Sequence, residues 1–124
     1  MSKNVIITGG AGFIGSYVCK CFLKNDYQPI AYDAFIQYLS PFESSYQKYL
    51  DYRFKGIQEK IIFERGDTRD KNDVRSIIIK YQPEIIVHLA ALPIADLSFT
   101  HSEETIGSII NGTVNILDAI SEMD

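Results

Sequence analysis

Apolar positions along the 124 residues fall into two periods. Short runs rich in β-branched residues, Val5-Ile6-Ile7, Ile30-Ala31-Tyr32, Ile61-Ile62-Phe63 and Ile85-Ile86-Val87, predict strands over Lys3 to Thr8, Gln28 to Asp33, Lys60 to Arg65 and Glu84 to Leu89. Between them the apolar spacing becomes helical. A first helix is expected from Gly12 to Asn25, burying Phe13, Ile14, Tyr17, Val18, Cys21 and Phe22 against a sheet. Asp70 caps the next, whose stripe is Val74, Ile77, Ile78 and Tyr81 and which Pro83 stops. A final helix from about Ser102 carries Glu103 and Glu104 in its first turn and Ile106, Ile109, Ile110, Thr113, Val114 and Leu117 on one face. Strands alternating with helices define an α/β chain with a parallel sheet.

The stretch Ala34 to Gly56 is the least regular and carries seven aromatics: Phe35, Tyr38, Phe42, Tyr46, Tyr49, Tyr52 and Phe54. Within it, Ser40-Pro41-Phe42-Glu43 has the form of a capping box with proline at the first helical position, so a helix from there to about Phe54 is expected. The aromatics, lacking a basic stripe beside them, are expected to pack this helix on the domain or on a partner rather than to stack bases.

The first strand breaks at Thr8-Gly9-Gly10-Ala11-Gly12-Phe13-Ile14-Gly15 and opens directly into a helix. Gly9 and Gly10 let the chain turn, Gly12 leaves no Cβ where a phosphate would approach the main chain, and Gly15 lets the helix pack closely. Free N–H groups of the first turn, around Gly12, Phe13 and Ile14, point where a pyrophosphate would sit. A glycine-rich turn with no ligand is the competing explanation. Asp33 weighs against it: this acid closes the second strand 18 residues after Gly15, near the spacing of about 20 at which a carboxylate grips an adenosine ribose. The same carboxylate repels a 2′-phosphate, which favours NAD over NADP.

Composition narrows the classes. A net charge of −4 leaves no basic excess for nucleic acid or an anionic membrane surface, and the eight Lys and Arg between Lys48 and Arg75 are interleaved with acids. Cys19 and Cys21, two apart on a helix, diverge and neither bridge nor hold a metal. With no signal core or apolar span of about 20 residues, a cytoplasmic location is the default. His88, inside an apolar strand, is expected to be a core histidine with a satisfied hydrogen bond.

Four signals in order, the glycine turn, Asp33, Gly66-Asp67-Thr68-Arg69-Asp70 and His88-Leu89-Ala90-Ala91, resemble the NAD-dependent sugar-nucleotide epimerase/dehydratase family, the extended branch of the short-chain dehydrogenases. The resemblance spans nearly the whole chain and implies a Rossmann-type, doubly wound parallel sheet of about four strands in the order 3-2-1-4. It also implies roles within a cofactor-binding set of Gly9, Gly12, Phe13, Ile14, Gly15, Asp33, Asp67, Thr68, Leu89, Ala90 and Ala91. Phe13 and Ile14 would offer backbone donors to the pyrophosphate and Asp33 would hold the ribose. Asp67 and Thr68 would border the adenine, and Leu89, Ala90 and Ala91 would line the way to the nicotinamide.

Two departures limit what can be carried over. The family's final helix usually reads Asn-Val-x-Gly-Thr, whereas Ile109 stands at the asparagine position and Asn111 lies on another side of the helix. None of the eight tyrosines has a lysine four residues on, so the family's Tyr-x-x-x-Lys acid/base pair is absent; the fifth strand and the sugar-nucleotide lobe are expected past Asp124. The chain therefore reads as an NAD-binding N-terminal half, residues 1–124, catalytically incomplete alone, meeting a nucleotide sugar only within a complete parent enzyme. The alternative is a degenerate half-domain that acts through self-association or a partner chain; a homo-oligomer is expected because a bare sheet edge invites one.

Overall fold

The computed structural model describes residues 3–36, 40–92 and 95–123, so Tyr38 and Pro93 lie outside the described residues. Four strands, β1 (Lys3–Thr8), β2 (Tyr27–Asp33), β3 (Ile62–Arg65) and β4 (Ile85–His88), form one sheet in the order β3-β2-β1-β4. All three pairings are parallel, with Ile6 opposite both Ile30 and Ile86, and Ile30 opposite Ile62. The anticipated 3-2-1-4 order holds.

Each central strand is buried on both faces, and the period of two divides its side chains between two cores. Ile6, Ile30 and Tyr32 pack with Val74, Ile77 and Ile78 of α3 (Lys71–Tyr81) and with Ile116 and Ala119 of the last helix. On the other face Val5, Ile7 and Ala31 meet Ala11, Cys19 of α1 (Phe13–Lys24), Phe54 and Ile61. Helix α3 buries the stripe its spacing predicts, and the Asp70 carboxylate caps it by accepting from the N–H groups of Asn72 and Asp73.

Three elements depart from expectation. Helix α1 buries Gly15, Ser16 and Cys19, while Val18 and Phe22 are only partly covered; Phe13 and Ile14 are 66% and 64% exposed, and Tyr17 and Cys21 also face out. The cause is Gly15, where a Cβ would lie 2.2 Å from the Gly9 carbonyl oxygen. So close an approach admits only small residues on the inner face and turns the bulky ones outward. Burial pushes the Cys19 thiol up to about 12, which leaves it inert.

The capping box at Ser40 closes a single turn, with Phe42 N–H on the Ser40 hydroxyl at 3.3 Å and Glu43 N–H on the Ser40 carbonyl at 2.9 Å. Helix α2 starts later, spanning Tyr46–Arg53. The Ser44 hydroxyl accepts from Tyr46 N–H, a local bond that competes with helix continuation and restarts the helix beyond the serine pair.

The C-terminal stretch is built from short helices α4 (Ala95–Thr100) and α5 (Ser102–Ile106), a π-helical turn over Gly107–Asn111, and α6 (Gly112–Ser121). Its inward residues are Gly107, Gly112, Ile116 and Ala119. Ile106, Ile109, Ile110, Val114 and Leu117, expected inside, are exposed. Again glycines sit at the contact: a Cβ on Gly107 would lie 2.9 Å from Arg69 Cδ, and one on Gly112 2.9 Å from Thr68 Oγ1. The π turn spaces these glycines five residues apart on one side.

Candidate functional site

The glycine turn uses up its own donors. Gly9 N–H reaches the Tyr32 carbonyl at 2.9 Å, Ala11 N–H reaches Asp33 Oδ2 at 3.1 Å, and Gly12 N–H reaches the Gly9 carbonyl at 3.0 Å. Gly12 therefore does not present a free donor, contrary to its sequence expectation; Phe13 and Ile14 open the first helical turn beyond it, where N–H groups lack an intrahelical acceptor. Gly9 has φ +67° and packs on the main chain of Leu89 and Ala90, while Gly10 lies on Ala31 of β2. Gly15 thus seats the helix on the turn itself, and Gly10 supplies the close contact with the strand. At Gly12 a Cβ would touch the Gly9 oxygen alone, at 3.1 Å, so the rest of that face is open.

Asp33 points back at this turn. Its Oδ2 takes Ala11 N–H, and Oδ1 takes the N–H of Phe35 at 2.9 Å, where the chain leaves β2 with Phe35 at φ +54°. Beside it, burial and the Asp33 charge push the Tyr46 phenol up to about 12. A carboxylate oxygen has two lone-pair directions, so each remains able to accept from a hydroxyl.

The second wall follows β3. Gly66 N–H bonds the Asp33 carbonyl at 3.0 Å, and the absence of a side chain there makes room for the Tyr32 ring. Tyr32 is 3% exposed and its hydroxyl has no partner among the described residues; burial foremost, then the charges of Asp73, Asp67 and Asp70, raise its pKa. Asp67 is gripped by the Arg69 guanidinium, Nε lying 2.9 Å from Oδ2 and 3.0 Å from Oδ1, which holds its carboxyl below the usual range. Thr68 is buried, and Asn115 of α6 donates to its carbonyl at 2.9 Å. Ile109 is exposed, and this polar tie from helix to loop comes instead from a position that sequence reasoning passed over.

The third wall hangs on Thr8. Its hydroxyl oxygen accepts from Leu89 N–H at 3.0 Å and Ala90 N–H at 3.1 Å, and lies 2.6 Å from His88 Nδ1. With both neighbours donating to it, the hydroxyl gives its own hydrogen to Nδ1, so the imidazole carries its proton on Nε2. His88 is half-buried rather than in either core, its hydrogen bond to Thr8 is made as expected, and burial lowers its pKa.

The three walls enclose a cleft of about 480 Å³ at the carboxyl ends of the strands. The whole expected cofactor-binding set lines it: Gly9, Gly12, Phe13, Ile14 and Gly15 on one side, Asp33 at the turn, Asp67 and Thr68 opposite, and Leu89, Ala90 and Ala91 along the floor. Tyr46, Arg69, Glu104 and Ser108 also line it. The last two are one helical turn apart, but nothing in their spacing distinguishes them from a solvated face. Among the described residues no cluster of His, Cys, Asp and Glu could hold a metal, and no helix is long and apolar enough to cross a membrane.

A parallel sheet in this order, flanked by helices and entered by a glycine turn at the head of α1, places the chain in the Rossmann-type class of folds. The model of the family described as GDP-mannose 4,6 dehydratase matches residues 6–124, and the chain belongs to that family. It is 29% identical over 118 residues to a UDP-glucose 4-epimerase of Rhizobium meliloti, covering 95% of this chain and 31% of that protein. A dTDP-glucose 4,6-dehydratase of Neisseria meningitidis is 30% identical over 117 residues, covering 94% of this chain and 31% of its own length. The crystal structure of UDP-glucose 4-epimerase from Brucella ovis in complex with NAD superposes with a TM-score of 0.71 at 27% identity, over 95% of this chain and 32% of that one. The chain thus spans about a third of the length of the relatives it matches, corresponding to the N-terminal portion of this NAD-dependent family.

Proposed function

We propose that the cleft binds the adenosine diphosphate end of NAD, and that the chain supplies the cofactor-holding part of a sugar-nucleotide epimerase or dehydratase whose acid/base chemistry lies outside these 124 residues. The observation carrying this reading is the carboxylate of Asp33, aimed at the glycine turn by its bond to Ala11 N–H, next to the open face of Gly12. The residues fit the group. Phe13 and Ile14 N–H groups, with the positive end of α1, would face the pyrophosphate. Asp33 would accept from the ribose hydroxyls, Asp67 and Thr68 would border the adenine, and Leu89, Ala90 and Ala91 would flank the path to the nicotinamide. When bound, NAD supplies a hydride acceptor; this chain's part is to hold and orient it. No Tyr-x-x-x-Lys pair is present in the chain, so hydride transfer to or from a nucleotide sugar belongs to the complete enzyme.

Isothermal titration with ADP-ribose tests the reading. Saturable binding is expected, and Asp33→Ala should weaken it roughly tenfold, the loss of a charge-assisted hydrogen bond. No heat at millimolar ADP-ribose would overturn it.

A specific surface favours self-association as a compatible second reading. Ile109, Ile110, Val114 and Leu117 form an exposed apolar ridge, and among the described residues β4 is bonded to β1 alone, its other edge unpaired. Sedimentation equilibrium is expected to reveal a concentration-dependent dimer, and a strict monomer at 100-fold varied loading would remove this reading.

A further inference from the structure

The turn that forms the cradle is hydrogen-bonded by a residue 42 positions away. Arg53, in the last turn of α2, donates from Nη1 to the Ala11 carbonyl at 3.0 Å, and its guanidinium lies 5.8 Å from the centre of the Tyr49 ring. On the opposite side of the same residue, Ala11 N–H is taken by Asp33 at 3.1 Å. Ala11 is therefore gripped at both polar groups, by a carboxylate from β2 and a guanidinium from α2.

This grip matters because of what flanks it. Gly10 and Gly12 stand on either side of Ala11, and Gly12 sits at φ −72° with its N–H bonded to the Gly9 carbonyl. Rotating the peptide between Ala11 and Gly12 would carry Gly12 to positive φ, a move that costs glycine little. Such a rotation breaks the Gly12–Gly9 bond and swings the Ala11 carbonyl away from Arg53, reshaping the turn at the mouth of α1. The freedom that builds the cradle also permits its collapse. We propose that Arg53 is a positioning residue: by pinning the Ala11 carbonyl toward α2 it keeps the glycine turn in its phosphate-receiving form, without touching the phosphate. Arg53 lines the groove between α1 and α2, with Phe13, Tyr17 and Tyr49, rather than the cleft itself.

The inference rests on the phosphate-binding reading above, and its test separates the two. Wild type, Arg53→Met and Arg53→Lys are titrated with ADP-ribose by calorimetry and with adenosine, which has no phosphate, by NMR, with thermal melts beside them. Arg53→Met is expected to bind ADP-ribose about tenfold or more weakly while adenosine binding stays within about twofold, and Arg53→Lys should recover part of the loss. A merely structural arginine would weaken both ligands together, and that result, or unchanged ADP-ribose binding, overturns the proposal. Where Arg53→Met does not fold, Arg53→Gln is read by the same criteria. If wild type binds neither ligand, the nucleotide reading fails, and amide exchange decides the latch: faster exchange of Gly12 N–H in the variant supports it, equal exchange refutes it.

Discussion

Helix α3 and helices α1 and α6 carry apolar stripes of similar regularity, yet only α3 buries the stripe its spacing defines. Val74, Ile77 and Ile78 fill the core beneath α3, whereas Phe13 and Ile14 on α1, Ile110 in the π turn and Leu117 on α6 face outward, Ile110 at 56% and Leu117 at 60% exposure. The difference lies in what each helix rests on. The stripe of α3 lies over strand side chains, which bulky residues interlock with. At their N-terminal ends α1 rests on the main chain of its own glycine turn and α6 rests on the Thr68 side chain in the loop after β3. Approach this close requires glycine inside; α1 lines the cleft with Phe13, Ile14 and Gly15, and α6 holds Thr68, which lines it. Close seating of these two helices beside the cleft thus inverts the amphipathic pattern each carries.

The largest test of that contrast is Gly15→Ala. The added Cβ would stand 2.2 Å from the Gly9 oxygen and 2.7 Å from Gly10 Cα, both main-chain atoms, so the helix must lift or the turn must reshape. A loss of about 3 kcal/mol is expected from denaturant unfolding, the upper end of overpacking costs. Alanine is a better helix former than glycine, so a stabilised variant would mean that α1 does not sit on the turn.

Next comes Ile78→Ala, under the helix that obeys its pattern. Ile78 is 2% exposed, and truncating it should cost about 2–5 kcal/mol with the slope of the denaturant curve unchanged. Less than 1 kcal/mol would erase the distinction between α3 and the other two helices.

These cases separate what is legible in the chain from what is not. Strand β1 runs over the residues its β-branched run marks, and the Asp70 cap and α3 stripe follow from local rules, because their partners are neighbours in sequence or a whole sheet face. The glycine turn and Asp33 in the cleft are legible as well, since glycine spacing and an acid at the end of β2 are local signals, whereas Glu104 and Ser108 in the same lining carry no such signal. What escaped was supplied from a distance. Arg53 on the Ala11 carbonyl and Asn115 on the Thr68 carbonyl join segments 42 and 47 residues apart, and no periodicity encodes such bonds. The spent amide of Gly12 follows from the geometry of the turn, and the outward faces of α1 and α6 from how closely each helix approaches what it rests on, neither of which a hydrophobic pattern records.

The floor of the cleft offers a smaller effect with a defined sign. Burial lowers the His88 pKa in the folded chain, so the folded state binds fewer protons at this site than the unfolded state does. The contribution is intact above the unfolded value near 6.5 and is lost as pH falls through the window below it, down to the folded pKa. Stability measured by urea unfolding should therefore decline in that window, and His88→Gln should flatten the decline. Because Nδ1 accepts from Thr8, whose oxygen also holds Leu89 and Ala90, protonation loosens the backbone against Gly9. An unchanged slope in His88→Gln would detach the floor from this histidine.

The smallest effect is the most discriminating. Leu117→Ser removes a leucine that its periodicity assigns to the core, and by that assignment should cost several kcal/mol. With the side chain 60% exposed, the folded chain loses little contact on truncation, and the change in unfolding free energy should stay within about 0.5 kcal/mol when measured at low protein concentration. Concentration is the control that gives this result meaning. If the ridge of Ile110, Val114 and Leu117 meets a second copy, wild-type stability rises with loading and the serine variant falls behind it, because association stabilises by mass action. A loss of several kcal/mol at every concentration would instead put Leu117 in an intramolecular core, and the inversion that sets α6 apart from α3 would be gone.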